Sequence, residues 1–287
     1  MRQYKVKPIH ALARGLRVLQ ALREMRAASL HDLHLATGLP KSTLTRIVFT
    51  CHQQGLVWQR MADGAFLPSH AEHLRAPLDD ATWLAEVASP VLERLCAKVR
   101  WPSVLSVPRL EYMEVVETNS RRAYFDELPD HPVNFRANML RSASGRAYLS
   151  FCPEQEREAV LRRLREHAVT GHELAHDPAA VRRIVQDTRR RGYSVRAADF
   201  GGDYSRTRKE VDDQRNSIAM PILVERQVLG CVNLTWRSAV MTTREIAQRH
   251  LGDLRTAVTA IETRVRERRP GGEAPAAARP SRAAAGR

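Results

Sequence analysis

Leu44, Ile47, Val48 and Cys51 stand at i, i+3, i+4 and i+7, one apolar stripe that predicts a helix from Lys41 to Gln54. A shorter helix is predicted before it from Ser29, a suitable N-cap, with a Gly38-Leu39-Pro40 turn between the two. Upstream, Leu12, Leu16, Leu19 and Leu22 keep roughly helical spacing from about Ala11 to Met25 and should lay one face over that pair. Downstream, Gly55 suits a helix stop, and Leu56-Val57-Trp58 can pair with Ala65-Phe66-Leu67 across an Asp63-Gly64 turn. Helix, turn, helix and hairpin in this order predict a winged helix-turn-helix over residues 1–75.

From Asp80 to about Val99, apolar pairs recur every four positions (Trp83-Leu84, Val87-Ala88, Val91-Leu92, Leu95-Cys96), a broad stripe that needs a partner. Pro90 is expected to kink this segment or begin a new helix, which makes 76–89 a linker helix and 90–269 a second domain. There, β-rich runs at 104–107, 112–116, 217–224 and 228–235 alternate with helical runs at 144–151, 154–166, 178–191 and 243–266. That mixed order predicts an α+β fold with an antiparallel sheet. Glu225-Arg226-Gln227 should turn the chain between the last two strands, Pro221 marks an edge or a bulge, and Thr242 with Glu245 forms a capping box. Residues 270–287 lack the apolar side chains that would offset their ordering entropy and are expected to form a disordered basic tail.

Charge sharpens this division. The formal net charge of +14 is concentrated at the ends: residues 1–75 hold 11 Lys and Arg against 4 Asp and Glu, residues 264–287 hold 7 against 2, and the stretch between holds 28 against 26. Such a distribution fits attraction to DNA by the first domain. The outward face of its second helix carries Lys41, Ser42, Thr43, Thr45, Arg46 and Thr50, hydroxyl and cationic groups of the kind that read a major groove, and Arg60 in the wing would meet a backbone phosphate. With 287 residues, 43% of them hydrophobic, the chain has material for two cored domains. It has no apolar run of about 18 residues, so a cytoplasmic protein without a membrane partner is expected. Cys51, Cys96, Cys152 and Cys231 are scattered among apolar neighbours, which predicts buried free thiols.

One enzyme signal stands out. His172-Glu173-Leu174-Ala175-His176 matches H-E-x-x-H, which on a helix holds zinc beside a general base. Gly171 precedes it, however, and Asp177-Pro178 follows as the start of the next helix, so a polar connecting loop is expected and a zinc hydrolase is the competing class. No G-x-S-x-G, Walker or G-x-G-x-x-G pattern occurs, and Asp79-Asp80 and Asp212-Asp213 sit where capping or solvation explains them. No catalytic residue, cofactor or metal is expected.

The run Thr37-Gly38-Leu39-Pro40-Lys41-Ser42-Thr43-Leu44-Thr45-Arg46, followed by Gly55-Leu56-Val57, resembles the winged-helix segment of IclR-type transcriptional regulators. The resemblance continues through Ser142 to Ala147, Gly192-Tyr193, Ser217 to Pro221 and Gly230 to Leu234. Trp101-Pro102, Phe151 to Arg157 and Ala239 to Thr242 are similar to the MhpR-like activators of hydroxyphenylpropionate catabolism within that family. It implies a GAF-like effector-binding domain, a homodimer or homotetramer on a pseudo-palindromic double-stranded operator, contact with RNA polymerase, and a small carboxylate effector. By position it implies a pocket of Asn138, Met139, Leu140, Ser142, Ala143 and Ser144 on one side and Asp213, Ser217, Asn233 and Thr235 on the other. Hydroxyl and amide groups suit a carboxylate and a phenol, with Met139, Leu140 and Met220 as apolar walls. An aromatic acid is the expected effector, and a short glyoxylate- or pyruvate-like acid the alternative. Residues 196–211 are longer and more polar than the family's pattern, either as a surface loop or as a segment that recasts ligand choice.

Overall fold

The computed structural model describes residues 9–69, 80–120, 133–167, 169 and 171–268. The expected tail and the domain boundary near residue 75 lie outside the described residues. The first domain consists of α1 (His10–Met25), α2 (Leu30–Thr37), α3 (Lys41–Gln53), β1 (Val57–Gln59) and β2 (Phe66–Pro68). Ser29 and Asp32 form a reciprocal capping box at the start of α2, and Gly38 ends that helix at φ 69°, donating to His34 O. Val18, Leu22, Leu33, Leu39, Leu44, Val48, Cys51 and Val57 close the core.

Two expectations for this domain are corrected. Leu12 and Leu16 do not face the helix pair; both are 57% exposed, whereas Val18 and Leu22 are buried. Each exposed leucine precedes one of the buried residues by six positions, a third of a turn around the helix, so the contact face is rotated away from the leucine spacing. The hairpin is also wider than a two-residue Asp63-Gly64 turn, because β1 and β2 pair through Gln59↔Phe66 and leave residues 60–65 as the connection. Met61 and Ala62 in that connection are buried against the second domain.

The second domain begins on α4 (Asp80–Val99), which runs unbroken through Pro90. The expected kink or break is overridden by burial on both sides of the proline: Leu84, Val87, Ala88, Val91, Leu92 and Leu95 all enter one core, while the ring of Pro90 faces outward. β3 (Ser103–Pro108), β4 (Tyr112–Thr118), β5 (Arg136–Asn138), β6 (Ser194–Val195), β7 (Arg215–Val224) and β8 (Gln227–Arg237) form one antiparallel sheet in the order β5-β4-β3-β8-β7-β6. α4 and α8 (Thr243–Arg268) cover one face, packing on Ile218, Ile222, Val232, Leu234 and Trp236. α5 (Ala143–Phe151), α6 (Glu154–Glu166) and α7 (Pro178–Arg191) cover the other, over Met113, Ala219 and Cys231.

Local chemistry explains several of these bounds. Glu225 and Arg226, both at positive φ, make the tight turn between β7 and β8. Pro221 lies beyond the two-residue β6 and just before a register shift, so its missing N–H deprives no neighbouring strand. Thr242 and Glu245 cap α8 reciprocally.

A buried carboxylate joins the domains. Glu117 on β4 accepts from the N–H groups of Met61 and Ala62 in the wing connection at 3.1 and 3.0 Å, and from Ser89 Oγ on α4 at 3.0 Å. Thr118 N–H supplies a fourth bond at 2.9 Å. Burial raises the pKa of this carboxyl against the opposing pull of those donors.

Candidate functional site

α3 turns its apolar stripe into the helix core and leaves Lys41, Ser42, Thr45, Arg46 and Thr50 exposed, with Thr43 half-buried at its start. The hydroxyls of Thr45 and Thr50 donate back to Lys41 O and Arg46 O, which leaves their lone pairs for incoming donors. Phe49 is exposed on the same helix, a position not singled out from sequence although it lies outside the buried stripe and three residues after Arg46. An aromatic there suits apolar contact with a thymine methyl. Arg60 is engaged within the wing: its Nε donates to Asp63 at 3.0 Å, and the pair holds the turn.

The sequence-derived effector residues form two groups that face one another across α5 and the sheet. Asn138 is buried; its Oδ1 accepts from Leu140 and Arg141 N–H, and its Nδ2 donates to Tyr204 O at 3.1 Å. Met139, Leu140 and Ala143 pack in the core under α5, and Ser142 caps that helix by accepting from Gly145 N–H. Ser144 Oγ lies 3.3 Å from Ser142 Oγ. Gly145 is needed by close approach, since a Cβ there would lie 2.2 Å from Met139 O. On the sheet, Ser217 pairs in register with Thr235, and Asn233 with Ala219. These side chains alternate with Ile218, Val232 and Leu234 of the opposite core, so they face α5. Asn233 Nδ2 reaches Thr235 Oγ1 at 3.3 Å, and its Oδ1 is buried without a hydrogen-bond partner. Met220 is not a wall of this region: it packs on the α4 and α8 side, because it is an odd number of residues from Ser217.

Asp213 stands apart from these hydroxyls. It holds both oxygens on Arg196 Nη2, at 2.8 and 2.9 Å, and closes over Gly202. Arg196 belongs to a set of arginines under the 196–213 segment, of which Arg141, Arg196 and Arg215 are buried and Arg146 and Arg208 partly so. Burial lowers the Arg146 pKa to about 10. Sequence reading missed this cluster because arginine spacing signals surface, and only the fold brings residues 141, 196 and 215 together. An aromatic group adjoins it: Tyr204 meets Tyr112 and His172 edge-on at 6.4 and 5.9 Å between ring centroids.

The histidine motif forms a 3-10 turn, His172–His176, and at three residues per turn its two imidazoles point in different directions. His172 is buried, its Nδ1 is 3.2 Å from His167 O and its Nε2 is 3.3 Å from Tyr204 OH. Burial lowers its pKa and keeps it neutral. Among the described residues no cluster of three or more His, Cys, Asp or Glu could hold a metal, and no helix is long and apolar enough to cross a membrane. The four cysteines are free and buried. A groove of about 540 Å³ between α7, β6 and the start of α8 and a cavity of about 170 Å³ between the wing, α4 and β4 both lie away from the effector residues.

Comparison with known proteins places both regions. Residues 11–60 match the IclR helix-turn-helix domain, and residues 80–263 match the bacterial transcriptional regulator IclR C-terminal domain. The chain is 26% identical to the transcriptional repressor IclR of Escherichia coli over 188 residues, 65% of this chain and 68% of that protein. It is 26% identical to the acetate operon repressor of Salmonella typhimurium over 189 residues, again 65% and 68% of the two chains. A crystal structure of an IclR homolog from a Microbacterium strain superposes with a TM-score of 0.50 at 25% identity, covering 90% of this chain and 99% of that one.

Proposed function

Because the chain belongs to the IclR family of transcriptional regulators, a DNA-binding family with an effector-binding domain, we propose that it responds to a small aromatic carboxylate of the hydroxyphenylpropionate type and binds a pseudo-palindromic operator as a dimer. The observation that carries the DNA half is the exposed polar face of α3, with Lys41, Ser42, Thr45 and Arg46 ahead of Phe49. The effector half is supported by two polar groups on the α5 side of the sheet: Ser142 and Ser144 at the start of α5 with Ser217, Asn233 and Thr235 on β7 and β8, and Asn138 beside the Tyr112 and Tyr204 rings. Polar groups set against aromatic edges suit a ring that carries a carboxylate and a hydroxyl. A short aliphatic acid is the second reading, favoured by likeness to the acetate operon repressor.

Titration of the full chain onto duplex from its own upstream region and onto a scrambled duplex, at two salt concentrations and with or without 3-hydroxyphenylpropionate, tests both halves. Preference for the upstream DNA that survives high salt and shifts with the acid is expected. Equal, salt-sensitive binding to both duplexes would overturn the proposal. Arg46→Ala should weaken operator binding by about 1–3 kcal/mol with little effect on scrambled DNA, and an equal loss on both assigns Arg46 to phosphate instead.

A further inference from the structure

Arg141 is wholly buried, yet its charge is poorly balanced. Its Nη1 and Nη2 donate to the carbonyls of Arg206 and Asp199 at 3.0 and 2.7 Å, which are neutral acceptors. Its Nε has no hydrogen-bond partner, and the nearest carboxylate oxygen, Asp199 Oδ2, stands 3.4 Å away on a side chain that is 61% exposed. Arg196 has taken Asp213, and Arg208 lies beside Asp212 at 3.6 Å. Arg146 donates to the carbonyls of Leu140 and Val195.

The guanidinium is also fixed in place. Its stem lies on Gly171, where an added Cβ would come within 2.0 Å of Arg141 Cδ, and its head sits 5.4 Å from the centre of the Phe200 ring. A rigid, desolvated guanidinium whose buried Nε lacks a hydrogen-bond partner matches the planar geometry of a carboxylate. Asp199 answers that nitrogen only weakly, since its mostly exposed carboxylate stands 3.4 Å away and makes no hydrogen bond to Nε.

We propose that Arg141 pairs with the effector carboxylate through its Nε edge, and that Asp199 is the internal carboxylate which the effector displaces. The proposal rests on the effector being an acid. It makes the segment around Asp199 to Arg206 the specificity element of the site, and it assigns the opposed hydroxyls and amides to the remainder of the ligand.

Binding of 3-hydroxyphenylpropionate, its uncharged primary amide and pyruvate to the full chain, measured by calorimetry, tests the assignment. The wild type should prefer an acid over the amide by on the order of tenfold to a hundredfold, the range expected for a charge-assisted pair. Arg141→Gln should remove that preference while amide binding remains. Asp199→Asn should tighten acid binding several-fold and leave the amide unchanged, an opposite effect that mere loosening of the fold would not produce. An Arg141→Gln variant with the wild-type acid-to-amide ratio would overturn the pairing alone. If that variant does not fold, Asp199→Asn still decides, because unchanged or weakened acid binding refutes the displacement. A wild type that binds neither acid sinks this inference together with the effector reading.

Discussion

Replacing Glu117 by Gln should loosen the wing from the second domain by about 1–3 kcal/mol, the cost of one stranded buried donor. The carboxylate takes Ala62 and Thr118 N–H on Oε1, and Met61 N–H and Ser89 Oγ on Oε2. A glutamine keeps the shape but turns one oxygen into a donor. With its oxygen toward Ala62 and Thr118, its amide meets Ser89, whose hydroxyl can rotate to accept, and Met61 N–H, which cannot. The reverse flip strands two N–H groups, so the first arrangement wins. Removing a buried charge returns part of this cost, because burial is what raises the Glu117 pKa. That shift also fixes a pH signature. A folded-state pKa above the unfolded value means that the contribution of Glu117 is fullest below the ordinary carboxylate range and declines as pH rises through the raised value. The uncharged amide of the Glu117→Gln variant has no such slope. Urea melts of both proteins at several pH values between about 4 and 8, followed by tryptophan fluorescence, would show a lower midpoint for E117Q and a gap that narrows as pH rises. Superimposable melts, or a gap that widens with pH, would refute the account of Glu117 as a hydrogen-bonded clasp under desolvation.

Pro90→Ala should stabilise the chain by about 1–2 kcal/mol in the same melts, since α4 regains a helical N–H while the unfolded chain regains some entropy; a loss of stability would mean that the ring shapes α4. At pH 8 a thiol-specific disulfide reagent should stay nearly silent until denaturant is added. Burial pushes the Cys152 thiol up to about 12 and Cys231 higher still, and Cys51 and Cys96 are buried as well. Rapid reaction of any thiol in the folded protein would contradict that burial.

Where one physical signal dominated, the chain could be read directly. α6 and α7 lie on the helical runs expected at 154–166 and 178–191, the second started by Asp177-Pro178, and the long β7–β8 hairpin follows its two β-rich runs. The α3 stripe was equally plain because a three-helix unit buries one face of each helix. Short elements were not legible: β5 and β6 have three and two residues, too few for any period to show. Leu12 and Leu16 misled because leucine spacing alone does not say which face meets a neighbour. Glu117 and Arg141 were invisible for a different reason. A charged residue reads as surface until distant chain segments, residues 61–62 for one and 199–206 for the other, close over it.

The placement of β3 beside β8, in the middle of the sheet, has a kinetic consequence. One strand follows α4 directly and the other comes just before α8, so their pairing waits on closure of nearly the whole domain between them. The contacts within α1 to β2 are local by comparison and need none of it. As the chain leaves the ribosome, the helices of the first domain can therefore pack while the second domain still lacks its central strand. For that interval only the first domain is closed, and the half-built sheet of the second is open to neighbouring chains.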